Sequence, residues 1–192
     1  MNLIKKTILI CSLAIITINC QSDYSKMVKT ELKKGIQKDS LLFGLKFGDH
    51  KQVFFDRCLE LNKKGLVIQG PSNKYAQYNL KPGADSTNII MLFYATNQDN
   101  GIIDGMDIKF YHSGWAPWNK QLYNYVLAPK VKDSLLTWFP GNDFLKVNLE
   151  NGQIVHIKVD GNRQIKVYND PNNKDVSVQI ENLNNKYDAK EL

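Results

Sequence analysis

Apolar and polar positions fall into three regimes along this chain. Residues 7–16, TILICSLAII, are almost unbroken apolar, and residues 21–40 are polar and Lys-rich with widely spaced apolar positions. From residue 41 onward, helical and alternating patterns take turns. Leu41–Phe47 is a short apolar segment punctuated by Gly44 and followed by Gly48. Asp49 then stands three residues before Gln52, the spacing of a capping box that opens a helix. Val53, Phe54, Cys58, Leu59 and Leu61 supply the buried stripe of that helix, and Gly65 ends it. Strands follow at Leu66–Ile68, in YAQYNL (75–80), in the strongly apolar NIIMLFYAT (88–96) and in GIIDGMDIKFY (101–111), the last interrupted near Gly105.

The order then repeats. NKQLYNYVLA and PKVKDSLLTWF carry Leu122 and Val126, then Val131, Leu135 and Trp138, at helical spacing, with a break expected at Pro129 and a stop at Pro140 and Gly141. Four segments of period-two alternation come next: Leu145, Val147 and Leu149; Val155, Ile157 and Val159; Ile165 and Val167; Val176, Val178 and Ile180. ENG at 150–152 and DGN at 160–162 are hairpin signals, so these strands are antiparallel. One helix followed by about four strands therefore occurs twice, in 41–111 and 118–182. That order predicts a single α+β domain over 41–182, its antiparallel strands in two sheets or one continuous sheet, with the helices on one face. Residues 183–192 read as a polar tail.

The first regime is a different kind of segment. Lys5 and Lys6 lead into an apolar run shorter than the roughly 20 residues a bilayer-crossing helix needs, the pattern of a secretory signal. ITINCQSD (16–23) follows, and it resembles the lipobox of bacterial lipoproteins, with Thr17 and Asn19 where that pattern carries Leu and Ala or Gly. The resemblance implies that residues 1–19 are removed, that Cys20 carries the lipid, and that 20–40 tether the folded part to a membrane. The expected location is the bacterial cell envelope, lipid-anchored, at the outer membrane facing periplasm or surface. A signal cut elsewhere and an uncleaved anchor are the alternatives.

Composition narrows the partners. Of 192 residues with formal charge +6, the signal holds Lys5 and Lys6 and no acid, so its removal leaves +4. No arginine cluster accompanies this mild charge, which argues against nucleic acid as a partner and is compatible with an anionic membrane surface. Cys11 lies in the signal and Cys20 would be lipidated, so Cys58 remains the sole ordinary thiol and no intrachain disulfide can form. Cys58 shares a helical face with Phe54 and Leu61 and reads as a small buried hydrophobe; a nucleophile would need a lowered pKa and a nearby base.

Catalytic patterns are sparse. His50, His112 and His156 lack metal-ligand spacing, NQDNGIIDGMD (97–107) does not match a calcium loop, and no cofactor motif occurs. Two candidate surfaces remain. The segment FYHSGWAPWNKQLYNY (110–125) sets His112, Trp115, Trp118, Tyr123 and Tyr125 in a Gly- and Pro-containing connection, where they either contact a sugar or protein partner or pack over the sheet end. If Val155, Ile157 and Val159 point inward, then His156 and Lys158 point outward beside Lys146, Lys166 and Tyr168, forming a positive patch or an ordinary solvated face.

Gly48, Asp49, His50 and Val53, entering the first helix, resemble the G-M-T-x-x-x-V entry of small outer-membrane lipoproteins of the barrel-assembly machinery and related inhibitor-like domains, with Asp49 and His50 replacing Met and Thr. That resemblance implies a binding module of helix and antiparallel sheet. The expected function is thus a lipid-anchored envelope domain that binds or scaffolds a protein or glycan noncovalently. An envelope hydrolase using His112 or a carboxylate near it is the second expectation.

Overall fold

The computed structural model describes residues 22–80, 88–97, 100–149, 152–169 and 174–187. Cys20 and the signal-like segment lie outside the described residues. Among these residues, three α-helices, α1 (Asp23–Lys33), α2 (Lys51–Lys63) and α3 (Asn124–Trp138), accompany eight strands. The strands are β1 (Val67–Gln69), β2 (Ala76–Asn79), β3 (Ile89–Asn97), β4 (Ile103–His112), β5 (Leu145–Asn148), β6 (Ile154–Asp160), β7 (Arg163–Asn169) and β8 (Val176–Asn182). They form one sheet in the order β1-β2-β3-β4-β8-β7-β6-β5, every neighbouring pair antiparallel. The fold is α+β, and its two helix-plus-four-strand halves share a continuous sheet through the pairing of their last strands, β4 and β8.

Both α2 and α3 bury side chains in the same core. Leu127, Val131 and Leu135 of α3 meet Ile165, Val167 and Val178 of the sheet, while Phe54 of α2 meets Phe93 of β3. Each such buried aliphatic contributes roughly 2 kcal/mol. Pro129 does not break α3. The bond it removes would have been accepted by the carbonyl of Tyr125, an exposed residue, while Leu127 and Ala128 stay buried just ahead of the proline. β4 runs on through Gly105, but its pairing with β3 shifts register beside it, from Thr96–Gly105 to Asn97–Ile103. A Cβ at Gly105 would lie 2.5 Å from the Ile180 carbonyl oxygen and 2.6 Å from Thr96 Oγ1, so the glycine admits close neighbours.

The cap of α2 sits one residue later than its sequence suggests. His50 Nδ1 accepts from the Gln52 amide at 3.3 Å, while Asp49 Oδ2 accepts from the Lys46 amide at 2.8 Å and closes the preceding turn. Residues 41–47 feed this arrangement with Leu41, Leu45 and Phe47 buried.

The segment expected to be a tether is instead part of the fold. Directly opposed residues on neighbouring strands share a face, and the register sets Val155 opposite Tyr168 but His156 opposite Val167. Val155, Ile157 and Val159 therefore face away from α3, and α1 covers them with Val28 and Leu32. Leu183 completes this second core, so the start of the expected polar tail is also packed. Within α1 the buried Glu31 accepts from the Gly161 amide at 3.0 Å, from Asn142 Nδ2 at 2.8 Å and from the Lys34 ammonium.

Burial alone pushes the Glu31 carboxyl up, but these donors outweigh it and hold it below its ordinary value of 4.5. A depressed folded value gives stabilisation that is present above pH 4.5 and lost as pH falls through the folded value. Residues 23–33 are expected to lose amide-exchange protection on acidification before the central strands do, and Glu31→Gln to abolish that step. Equal protection of α1 and the sheet down through that range would contradict the assignment.

Candidate functional site

The 113–125 loop, whose last two residues open α3, is built on the end of β4. His112 is the last residue of β4, opposite Ile89, and its carbonyl accepts from the Trp115 amide at 3.1 Å. The Asn119 amide donates to the Ala116 carbonyl at 2.9 Å, and the Tyr123 hydroxyl donates to the Pro117 carbonyl, which pins the turn. Tyr123 stands between two aromatic neighbours, 6.0 Å from Trp115 and 5.7 Å from Tyr125 between ring centroids. Trp118 rises from this framework with 86% of its surface exposed. Trp115 is half-buried. The two indoles thus divide the expected roles, one packing and one presented.

Beneath the loop is a cavity of about 780 Å³. Among the described residues, His112, Lys120, Gln121, Tyr125 and Lys130 line it, with no carboxylate, serine or thiol beside them. His112 is buried, and the lysines form no ion pair among the described residues. The first turn of α3, which adjoins the cavity through Tyr125 and Val126, contains no acid and no side-chain cap. This end of the molecule presents positive charge and aromatic surface together.

The second expected surface, a positive patch on one sheet face, does not form. Lys158 shares the α3 side with Ile165 and is fully buried, whereas Lys166 and Tyr168 lie on the opposite face. Lys146 is exposed on the edge strand β5, opposite His156. Burial, then the charges of Lys132 and Lys146, push the His156 imidazole down. Lys166 is paired with Glu181 at 2.8 Å and Tyr168 hydrogen-bonds Gln179 at 3.5 Å. The alternation of β6 was legible, but its apolar side is the one covered by α1.

Lys158 belongs to a buried polar cluster that sequence reasoning missed. Its Nζ lies 2.8 Å from Asp160 Oδ2 and donates to the Asn142 carbonyl at 2.7 Å. Asp160 Oδ1 accepts from the Asn142 amide at 2.7 Å, and Asp160 also faces the Arg163 guanidinium at 3.8 Å. Arg163 stacks over Phe139, 4.5 Å from its centroid, and donates to the Ser40 carbonyl at 3.0 Å. These bonds join the end of α3, the β6–β7 hairpin and the chain leaving α1. They serve the architecture.

A third surface arises where the expected buried stripe of α2 divides. Phe54, Cys58 and Leu61, at i, i+4 and i+7, pack on the core, while Val53, Phe55 and Leu59 turn outward because α2 covers only the β1–β3 end of the sheet. Phe55, Leu59 and the β1 residue Ile68 are about half exposed, at 47%, 55% and 50%, and border a groove of about 760 Å³. Tyr75 and Tyr94 wall its other side. Ser72 and Asn73, at the same groove, have φ of 59° and 56°, left-handed values rarely adopted outside glycine. Cys58 also lines it, its thiol pushed up to about 11 by burial, which makes it a poor nucleophile.

Among the described residues, no group of three or more His, Cys, Asp or Glu is arranged to hold a metal ion, and no helix is long and apolar enough to cross a membrane. No family model matches this chain. No curated protein matches it either. A search of solved structures finds similarity to a crystal structure of a DUF4309 family protein, YjgB, from Bacillus subtilis subsp. subtilis str. 168. The match has 15% identity and a TM-score of 0.33, and covers 82% of this chain and 94% of that one.

Proposed function

We propose that this chain is an exported, lipid-anchored envelope domain that binds a protein or glycan partner noncovalently through its 113–125 loop. The observation that carries this reading is Trp118, 86% exposed at a turn held by the Tyr123–Pro117 hydrogen bond. An ordered backbone presenting a large rigid aromatic supplies contact area with little entropy to lose on binding. The cavity next to it adds Lys120 and Lys130 to the aromatic surface, groups that can contact the polar or anionic parts of a partner.

The geometry near the N-terminus supports the direction of this surface. Ser22 caps α1, so a lipid on Cys20 would be attached two residues before the cap of a packed helix. Tyr24 of that helix donates to Gln164, which pairs with Glu181, itself opposite Gly105. From Gly105 to His112 is seven strand residues, about 23 Å. The loop lies at the other end of β4 from Tyr24, an arrangement that supports a contact facing away from an anchoring membrane.

Proximity crosslinking of the native protein in its own envelope tests the reading. Trp118→Ala is expected to change stability by less than about 0.5 kcal/mol, as an exposed substitution, and to remove the principal crosslinked partner. An unchanged partner set in the folded variant would reject the loop as the contact. Mass spectrometry of the mature N-terminus is expected to give an acylated Cys20; an unmodified terminus beyond it would reject the anchor.

A further inference from the structure

We infer that the groove between α2 and β1 binds an amphipathic anion: a single apolar chain ending in a carboxylate or phosphate. This rests on a different surface from the loop and needs neither its partner nor the lipid anchor. The volume of about 760 Å³ lies within the range of small-molecule sites. Phe55, Leu59 and Ile68 are apolar side chains that solvent alone would not select at half exposure, and they gather around one concavity instead of scattering over the surface.

Charge specifies the head of the ligand. Lys74 is the sole charged side chain among the described residues lining the groove. Its ammonium stands 5.5 Å from the centroid of Tyr75, and Lys51 stands at the rim, 5.9 Å from Phe55 and 5.8 Å from Tyr94. Neither forms an ion pair among the described residues. A third ammonium, Lys109, lies 5.9 Å from the Tyr75 centroid but is shared with Asp175 at 3.9 Å. A cation held on an aromatic face keeps the capacity for a stronger, charge-assisted bond to an anion. An apolar channel with cations at its rim matches an acyl chain with an anionic head.

The same surface disfavours an added peptide strand. β1 is three residues long, its Val67 carbonyl already accepts from Asn62 Nδ2 at 2.8 Å, and the adjoining Leu66 amide donates to the Leu61 carbonyl at 3.0 Å. Little of that edge is left for pairing.

A diazirine-bearing palmitic acid, photoactivated with the full chain in isolated membranes, tests the inference through the positions of its adducts. Adducts are expected within residues 54–76, with labelling at least tenfold lower in Leu59→Glu. The Lys51→Ala/Lys74→Ala double variant is expected to lose labelling by the acid at least fivefold and to keep labelling by the corresponding neutral alcohol. All three substituted side chains lie outside the core, so folding is retained; a thermal melt matching the wild type checks this. A lysophosphatidylglycerol probe that labels the same residues identifies a lipid headgroup as the source of the anion, and labelling by the free acid alone identifies a fatty acid. No adduct in 54–76, equal labelling of Leu59→Glu, or labelling there by a diacyl phosphatidylglycerol probe alone would overturn the inference, the last by making this face a bilayer contact.

Discussion

Gly161→Ala is expected to destabilise the protein by about 3 kcal/mol or more and to loosen residues 23–40 from the sheet. Gly161 opens the two-residue turn between β6 and β7 with φ of 57°, a left-handed value that strains alanine. A Cβ at this position would lie 2.1 Å from the Ile36 carbonyl oxygen and 3.1 Å from its carbon, so either the turn or the segment after α1 must move. The same movement disturbs the Gly161 amide that donates to Glu31. Urea unfolding measures the loss, and amide exchange should place its greatest effect in 23–40. Gly152→Ala provides the control: its φ of 80° imposes a comparable strain, but nothing lies within 4 Å of the new Cβ. Equal midpoints for the two variants would show that contact with the N-terminal segment contributes nothing.

Asp160→Ala is expected to lose about 3–5 kcal/mol, since it strips the carboxylate from two buried cations. Lys158 is wholly enclosed and Arg163 is 2% exposed, and both face Asp160. Burial pushes the Arg163 guanidinium down, and the Asp160 carboxylate opposes that shift. Lys158→Met is expected to cost less, below about 2 kcal/mol, because Asp160 keeps Arg163 and the Asn142 amide while the methionine fills the lysine's space. Urea midpoints of the two variants give the comparison. If Lys158→Met proved the more damaging, the carboxylate would not be the centre of the cluster.

Period-two alternation made the strands legible, and the helical spacing of Val131 and Leu135 made α3 legible. Alternation alone does not reveal which side of a strand meets which layer. The apolar side of β6 is turned opposite to that of β7, and only the register, with α1 as its cover, shows it. That is why Lys158 and His156 read as outward residues and α1 as a tether: Val28 and Leu32 form too narrow an apolar stripe to announce a helix without the surface they complete. The outward Val53 and Leu59 were hidden for the converse reason. Apolar spacing is the same on a stripe that enters a core and one that borders a groove. The 113–125 loop was visible because its aromatic content is compositional, although the division between half-buried Trp115 and exposed Trp118 depends on the turn geometry.

The union of the two halves through their last strands also orders events in time. β4 is complete at residue 112, but the strand that flanks it in the middle of the sheet begins only at Val176. During synthesis, the first half must therefore wait with the long edge of β4 open, including Ile108 and Phe110, until residues 176–182 have emerged. Closing that edge is a non-local event, slow relative to hairpin formation and vulnerable to pairing with another chain meanwhile. The strand that closes the middle of the sheet is the last of the eight described, so the greatest hazard falls before Val176 is available.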